Sequence, residues 1–553
     1  MRENIILLLS VTAKIERCVY SEIEREDFDR GILYYTYVRK TRCKIWKIDL
    51  NCEVLPDELI NDILDNKVIK ACWQAQTVRI LLSTLIKKRC HTYLSPKCWV
   101  DIQTLLRLSG IPASTLNEAS NFLNIKPEPC HQPKDVKNIT ALKKIVRKII
   151  SNAPDNVDIL GLYRCNQAIN DHGIKANREI LDALTYLESI IKSAVESELT
   201  HNGLSMSAGE IKEHFRKKYG KGTSEDIYQL LSSNTLNETD TGLVCCLTAL
   251  NSRVLQRLDF ISDRICNDDR VRGIIPFYGN TTFGYYSNET FGTIHPELNS
   301  LNDREFIETV YNIEGISVSQ IPDLLSLIKG WLPRCFDLTG TTTLDLTAIN
   351  YLAAAKLLGS TWRAKAVHSG TIIKELRTIM PSSVRTSRLL STDLDLMVGN
   401  FNRFVDSAYK DQWHKDNPDV ERTKAAYLNC ALRTIRTKRS CTLNGITFDY
   451  SKKTLTVSLP TGHILNLHIV RDNGIFYITE NGKNPLTGNT LFGMIFKTIS
   501  FDIMIKFVGI LRSKKLRMVY YNNRAIVIKT PTLLPAELFD SFYGLIGFKN
   551  DVV

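Results

Sequence analysis

The chain is short of the features that would classify it quickly. It carries 14 cysteines, yet none forms a Cys-x-x-Cys pair, and Cys245-Cys246 is the only adjacent couple. Neither a paired-cysteine zinc site nor a small disulfide framework is therefore expected. Cys130-His131 is a lone pair of ligand types, too little for a metal site, and no metal is expected. No stretch approaches the roughly 20 apolar residues of a membrane-crossing helix, so no membrane partner is expected. The opening MRENIILLLSVT lacks an obvious cleavage site and reads as a buried first strand. There is no internal repeat and no low-complexity tract, which argues against a solenoid or a disordered polymer. Acidic excess is also missing: 71 Lys and Arg oppose 59 Asp and Glu, a net charge of +12. That excess fits a polyanion partner, the alternative being a merely soluble basic protein.

What is present is ordinary globular composition, with 44% hydrophobic and 24% charged residues over 553 positions. A chain of this length exceeds one core, so about two to four domains are expected. Scattered, unpaired cysteines point to a reducing intracellular compartment such as cytoplasm or nucleus.

Along the chain, strands are expected at Ile5–Val11, Gly31–Val38, Cys43–Ile48 and Val68–Ala71, with helices at Pro56–Asn66 and Thr77–Lys88. Leu105–Ile125 reads as helix, turn and helix, with Ser114 or Thr115 as the cap. A loop over Lys126–Lys137 and a basic helix over Ala141–Ile150 follow. Residues 160–265 are helical by 3–4 periodicity, broken at Asp171-His172-Gly173. The Gly- and aromatic-rich stretch 268–335 reads as strands and loops, and 336–400 as strand and helices. Arg422–Ile435 is helical, and Gly445–Phe476 alternates as two strands joined at Leu459-Pro460-Thr461-Gly462. A long apolar helix spans Asn489–Arg512, a hairpin turns at Asn522-Asn523, and a last helix covers Pro535–Tyr543.

Several segments, in order, carry a resemblance. RLSGIPASTLNEASNFLNI, NQAINDHGIKAN (Asn166–Asn177), DDRVRGIIPFYGN (from Asp268), TLDLTAINYLAAAKLLGSTW (ending at Trp362), LTVSLPTGHILNL (Leu455–Leu467), PLTGNTLFGMIFKTISFDIMIKFV and MVYYNNRAIVIKTP (Met518–Pro531) together resemble bacteriophage-type family A DNA polymerases. The resemblance implies an α+β multidomain chain: an RNase H-like exonuclease-type α/β domain at 1–160, a helical thumb-like region at 161–266, and the palm and fingers of a right-hand polymerase-type domain at 267–553. It also implies DNA as partner, a possible replication or viral protein partner, and a viral or phage origin.

Chemistry of this family needs paired carboxylates around two divalent metals. The resemblance places Asp345 at the first palm carboxylate and the second near Asn522, Asn523 and Arg524, where no acid stands. Other motif positions also depart from the pattern. Asn350 takes the place of a glutamate and Leu352 that of an arginine; Tyr285 replaces an arginine, and Ile294 and His295 replace a Gln-Asn pair. Lys497 and Phe501 replace a Gln and an Arg, while Asp502 persists. The fingers segment Val384–Phe404 retains Arg385 and Arg388 but no triphosphate-binding lysine. In the exonuclease half, the first acidic motif falls near Cys18 and Tyr20, and Gln74 occupies an asparagine position; Glu16, Glu22 and Glu24 nearby read as helical or solvated surface.

The expectation is a degenerate homologue that binds DNA without efficient synthesis or proofreading and needs no cofactor. Two alternatives stand beside it. One is an active DNA polymerase using magnesium with displaced ligands, Asp393 and Asp395 being the candidates; the other is a structural, protein-interaction module. Basic residues available for nucleic acid are Lys143, Lys144, Arg147 and Lys148; Arg433, Arg436, Lys438 and Arg439; and Arg512, Lys514, Lys515 and Arg517. Phe277, Tyr278, Phe283, Tyr285 and Tyr286 could stack on bases.

Overall fold

The computed structural model describes residues 6–529 apart from 14, 16–17, 25–27, 39–43, 87–92, 109–110, 112–114, 126–133, 151–158, 233–234, 276–301, 383, 400–406, 452–453, 473, 480–483 and 522–524. Tyr285, His295, the stacking aromatics, Asn522, Asn523, Arg524, Glu16, Cys130-His131 and the expected helix Pro535–Tyr543 lie outside the described residues.

The first elements are β1 (Ile6–Val11), α1 (Val19–Glu22), β2 (Ile32–Val38), β3 (Trp46–Asp49), α2 (Asp57–Leu64), β4 (Ile69–Cys72), α3 (Ala75–Leu85), β5 (Trp99–Asp101), α4 (Ile102–Leu108), α5 (Leu116–Phe122) and α6 (Lys134–Ile150). The strands form one sheet in the order β3-β2-β1-β4-β5. β2 runs antiparallel to β1 and β3, while β4 and β5 run parallel to β1. The run Leu7-Leu8-Leu9 suits a central strand covered on both faces. Leu7 and Leu9 pack with Leu33, Leu81 and Leu82, whereas Leu8 packs with Ala71, Leu142 and Ile145. Thr115 caps α5 in a reciprocal box with Glu118. Helix α6 starts at Lys134, inside the expected loop Lys126–Lys137, and β5 is too short to leave a periodic signal.

Next come α7 (Ile159–His172), β6 (Ile174–Lys175), α8 (Arg178–His201), α9 (Ala208–Tyr219), α10 (Ser224–Ser232), α11 (Glu238–Leu250), α12 (Arg253–Ser262) and β7 (Arg270–Val271). The expected break after α7 is real. Gly173 has φ +66°, and a Cβ there would lie 2.7 Å from the Val271 carbonyl oxygen, so glycine is needed for both conformation and space.

The expectation of strands and loops across 268–335 is corrected. α13 (Asp303–Tyr311) and α14 (Ile321–Trp331) are helices. Asn302 and Glu305 form a capping box, Pro322 sits in the first turn of α14, and Phe306 stacks on Trp331 with centroids 3.8 Å apart. These start signals were outweighed by the composition of residues 276–300.

The last third contains β8 (Thr341–Asp345), α15 (Thr347–Leu357), α16 (Thr361–His368), α17 (Ile372–Ile379), α18 (Leu389–Val398), α19 (Ser407–Asp416) and α20 (Pro418–Thr437), then β9 (Cys441–Leu443), β10 (Ile446–Ser451), β11 (Thr454–Ser458), β12 (Ile464–Asp472) and β13 (Ile475–Thr479). α21 (Gly488–Ser513), β14 (Arg517–Tyr521) and β15 (Ala525–Lys529) close the described chain. Strands β9–β13 make a five-stranded sheet in sequence order, where the sequence suggested only two strands. β14, β15 and β8 form a separate three-stranded antiparallel sheet. One apolar cluster runs from Ile169 to Ile528, so α8 and the two C-terminal sheets share a core distinct from that of the first sheet.

One disulfide that cysteine spacing does not signal is present among the described residues: Cys430 on α20 is bonded to Cys441 on β9, with Cα atoms 5.8 Å apart. Tertiary packing brings the two together across 11 positions, and spacing alone carries no sign of it. Among the described residues no helix is long and apolar enough to cross a membrane.

Candidate functional site

Asp345 ends β8 with its side chain exposed. Its Oδ1 accepts the backbone N–H of Thr347 at 2.8 Å, so the carboxylate already serves the first turn of α15. The ladder sets Asp345 opposite Ala525, with Leu344 opposite Ile526. Ala525 follows the sequence Asn522-Asn523-Arg524. A magnesium pair needs several oxygen ligands with strong negative charge. One carboxylate engaged by a backbone amide, facing an alanine, does not fit it. Asn350 is buried one turn into α15.

Asp393, one of the candidate displaced ligands, is fully buried on α18. It accepts from Arg363 Nε at 2.8 Å and Nη2 at 3.2 Å, from the Tyr351 hydroxyl at 2.6 Å and from Trp413 Nε1 at 2.9 Å. Those bonds fix four helices to one another and leave no lone pair aimed at solvent. Burial, then the charge of Asp393, push the Tyr351 hydroxyl far above its ordinary range. Asp395 is buried on the same helix. Lys497 is half-buried on α21, and Asp502 accepts from the Thr461 hydroxyl and from His463 Nδ1, tying α21 to the β11–β12 turn.

In the first sheet, the expected motif positions lie off the strands. Cys18 precedes α1 and Tyr20 is on it, while Gln74 precedes α3 with φ +57°. Two acids end strands of this sheet, Asp49 on β3 and Asp101 on β5, and Asp101 accepts the N–H groups of Ala75, Gln103 and Thr104 at 2.8, 3.0 and 3.2 Å. Glu22 is helical, on α1, as expected, but it is buried at 5% exposure rather than solvated; Glu24 accepts the Asn267 N–H at 2.8 Å.

Sequence reasoning missed the seam beside these residues. Arg79 of α3, wholly buried, meets Asp171 of α7 in a two-pronged pair at 2.8 and 2.6 Å. Arg79 also donates to Gln167 at 2.9 Å and to the Leu94 carbonyl at 2.6 Å, and the Tyr20 hydroxyl donates to Asp171 at 2.5 Å. Burial, then the Asp171 charge, push the Tyr20 hydroxyl well above its ordinary value. The available signal was a lone Asp in the conspicuous Asp171-His172-Gly173 break.

No family model matches the chain, and no curated protein sequence matches it. Among solved structures, the POL domain of Pol1 from M. smegmatis, in complex with DNA primer-template and dNTP, is similar over 98% of this chain and 91% of that one, with a TM-score of 0.53 and 12% identity. The chain has a polymerase-type fold of mixed α and β content.

On this polymerase-type fold the basic residues fall into separate exposed patches. On α6, Arg147 and Lys148 are exposed, Lys143 and Lys144 are half-buried, and Lys148 donates to the Leu123 carbonyl. Arg385 and Arg388 precede α18 in a short 3-10 turn. At the end of α20, Arg433, Arg436, Lys438 and Arg439 are exposed. There Arg433, Thr437, Arg439 and Ser440 line an open cavity of about 390 Å³. Arg512, Lys514, Lys515 and Arg517 are exposed where α21 passes into β14.

Proposed function

We propose that this chain is a degenerate relative of bacteriophage-type family A DNA polymerases that binds DNA and performs neither efficient nucleotidyl transfer nor proofreading. The observation that carries the reading is Asp345 lying opposite Ala525 with its carboxylate already bonded to Thr347. Without a carboxylate pair, transition-state stabilisation by metals is lost, an effect of several kcal/mol. The saturated bonding of Asp393 argues against displaced ligands on α18. The similarity to a polymerase domain solved with DNA primer-template, the net charge of +12 and the exposed basic patches support DNA as partner.

An RNase H-like, exonuclease-type origin for residues 1–160 is supported by the order β3-β2-β1-β4-β5 with β2 alone antiparallel. A boundary near 160 is supported by the separate apolar clusters on either side, and we assign 161–266 as thumb-like and 267–553 as palm and fingers.

The test has two arms. In a gel-shift assay with salt titration, primer-template or single-stranded DNA should be retained at low salt and released as salt rises. In primer extension with magnesium or manganese, no synthesis is expected, and Asp345→Ala should change nothing. Extension by the wild-type chain that Asp345→Ala abolishes would overturn the inactive reading, and no affinity for any DNA at low salt would overturn the binding reading.

A further inference from the structure

Two guanidinium groups converge on one histidine at the seam between α7 and the β14–β15–β8 sheet. His172 closes α7, and its Nε2 accepts from Arg270 Nη1 at 3.1 Å and from Arg517 Nη2 at 2.7 Å. Both donors require the Nε2 lone pair, so the imidazole is neutral. Partial desolvation, then the charges of Arg517, Arg270, Arg272 and Lys529, push its pKa down to about 4. Arg272 is neutralised by Asp268 through bonds of 2.6 Å, and the same carboxylate stands 4.0 Å from Arg270 Nε. Arg517 and Lys529 have no carboxylate partner among the described residues. Moreover, Lys529 is directly opposite Arg517 in the β14–β15 ladder, a like-charge pairing that destabilises a sheet. Among the described residues, three cations thus stand around a neutral acceptor with one shared carboxylate, Asp268, to offset them.

We propose that Arg270, Arg517 and Lys529, gathered around His172, form a cradle for a phosphoryl anion. If the DNA-binding reading holds, on which this choice of source rests, the anion is a backbone phosphodiester. Arginine forks and a lysine point charge suit a phosphoryl group, and its arrival would relieve the cross-strand repulsion. The position is informative as well. Lys529 is four residues along β15 from Ala525, the partner of Asp345. Period-two alternation puts Lys529 and Asp345 on one face of the sheet, about 14 Å apart along the strand. The cradle is thus a second anchor on that face, separate from the Asp345 position.

The test uses the full chain and Arg517→Gln/Lys529→Gln, with Lys514→Gln/Lys515→Gln as a control that changes the same net charge nearby. Melting temperature is read in inorganic phosphate and in chloride at matched ionic strength; affinity for a labelled single-stranded oligonucleotide is read by anisotropy across a salt series. Phosphate should raise the wild-type melting temperature by several degrees. The Arg517/Lys529 variant should lose that shift while being no less stable than wild type in chloride. Its DNA affinity should fall at least tenfold near 100 mM salt, and its log–log salt slope should flatten by about 0.7, the value of one lost phosphate contact on a single strand. If phosphate protects but the wild-type chain binds no DNA, the cradle stands as a free-phosphate site and the DNA reading fails. If DNA binds, and the variant changes neither affinity nor slope nor the phosphate response, the cradle is refuted and the DNA reading survives. Equal losses in the Lys514/Lys515 control would also refute it, because general charge would then explain the effect.

Discussion

Asp171→Asn removes the counter-charge of a guanidinium that has no access to solvent. Arg79 is fully buried and gives four hydrogen bonds from Nη1 and Nη2, two of them to Asp171. The amide keeps the volume of the carboxylate but turns an NH2 toward a donor, so at least one Arg79 bond is lost and the cation is left without an anion. Breaking a buried pair in this way costs about 3–5 kcal/mol. That is roughly two to three and a half powers of ten in the local opening equilibrium. Because Arg79 lies on α3 and Asp171 on α7, the loss should appear as separation of the first sheet's layer from the helical region. Hydrogen exchange in α3 and α7 reads it directly, and urea unfolding followed by tryptophan fluorescence reads it globally. Arg79→Met/Asp171→Leu should cost far less than either single change, since an apolar replacement of both partners is close to neutral. An Asp171→Asn protein within about 1 kcal/mol of wild type, or a double variant as damaged as the sum of the singles, would refute the clamp.

Other outcomes follow from single contacts. Asp345→Ala should lower stability by about 1 kcal/mol through loss of the Thr347 N–H bond, measured by denaturant titration. His172 has its pKa held near 4, against about 6.5 in an unfolded chain, so the unfolded state takes up a proton first as pH falls. The contribution of this site to stability is complete above about pH 6.5 and is lost progressively toward pH 4; the melting temperature should fall across that window, less steeply in His172→Gln. Reducing Cys430–Cys441, which closes a loop of 11 positions, should cost about 2–3 kcal/mol at most, read as a lower melting temperature with dithiothreitol. Gly488→Ala should cost about 1–3 kcal/mol, since its Cβ would meet the Lys424 carbonyl oxygen at 2.8 Å where α21 crosses α20.

What the sequence made legible is what local pattern can encode. The triple leucine of β1, the alternating β11 and β12, the long apolar α21, and the hairpin strands β14 and β15 were all readable from period and turn residues. They were readable because burial selects apolar side chains at fixed spacing. What escaped depends on partners far apart in the chain. Arg79 and Asp171 are 92 positions apart, Arg517 and His172 are 345 apart, and neither pair has a local signature. Helices α13 and α14 were obscured by the glycines and aromatics preceding them, although Asn302 and Pro322 were correct start signals.

Four buried or half-buried acids bear on the functional reading. Asp171 joins α7 to α1 and α3; Asp240 joins α11 to α9 through His214, Lys218 and Tyr219; Asp393 joins α18 to α15, α16 and α19; Asp502 joins α21 to a strand turn. Each carboxylate has two or more donors fixed on it, which suits architecture, and Asp393 with four donors has no lone pair left for an ion. The cations divide differently. Arg79 and Arg363 are locked in such pairs, whereas Arg433, Arg439, Arg517 and Lys529 are exposed. These four acids are committed to holding elements together, while several basic residues face solvent, an allocation that supports the proposed reading of a polyanion partner. Catalysis on this fold would demand the opposite allocation at Asp345, an exposed acid whose partner in the ladder is alanine.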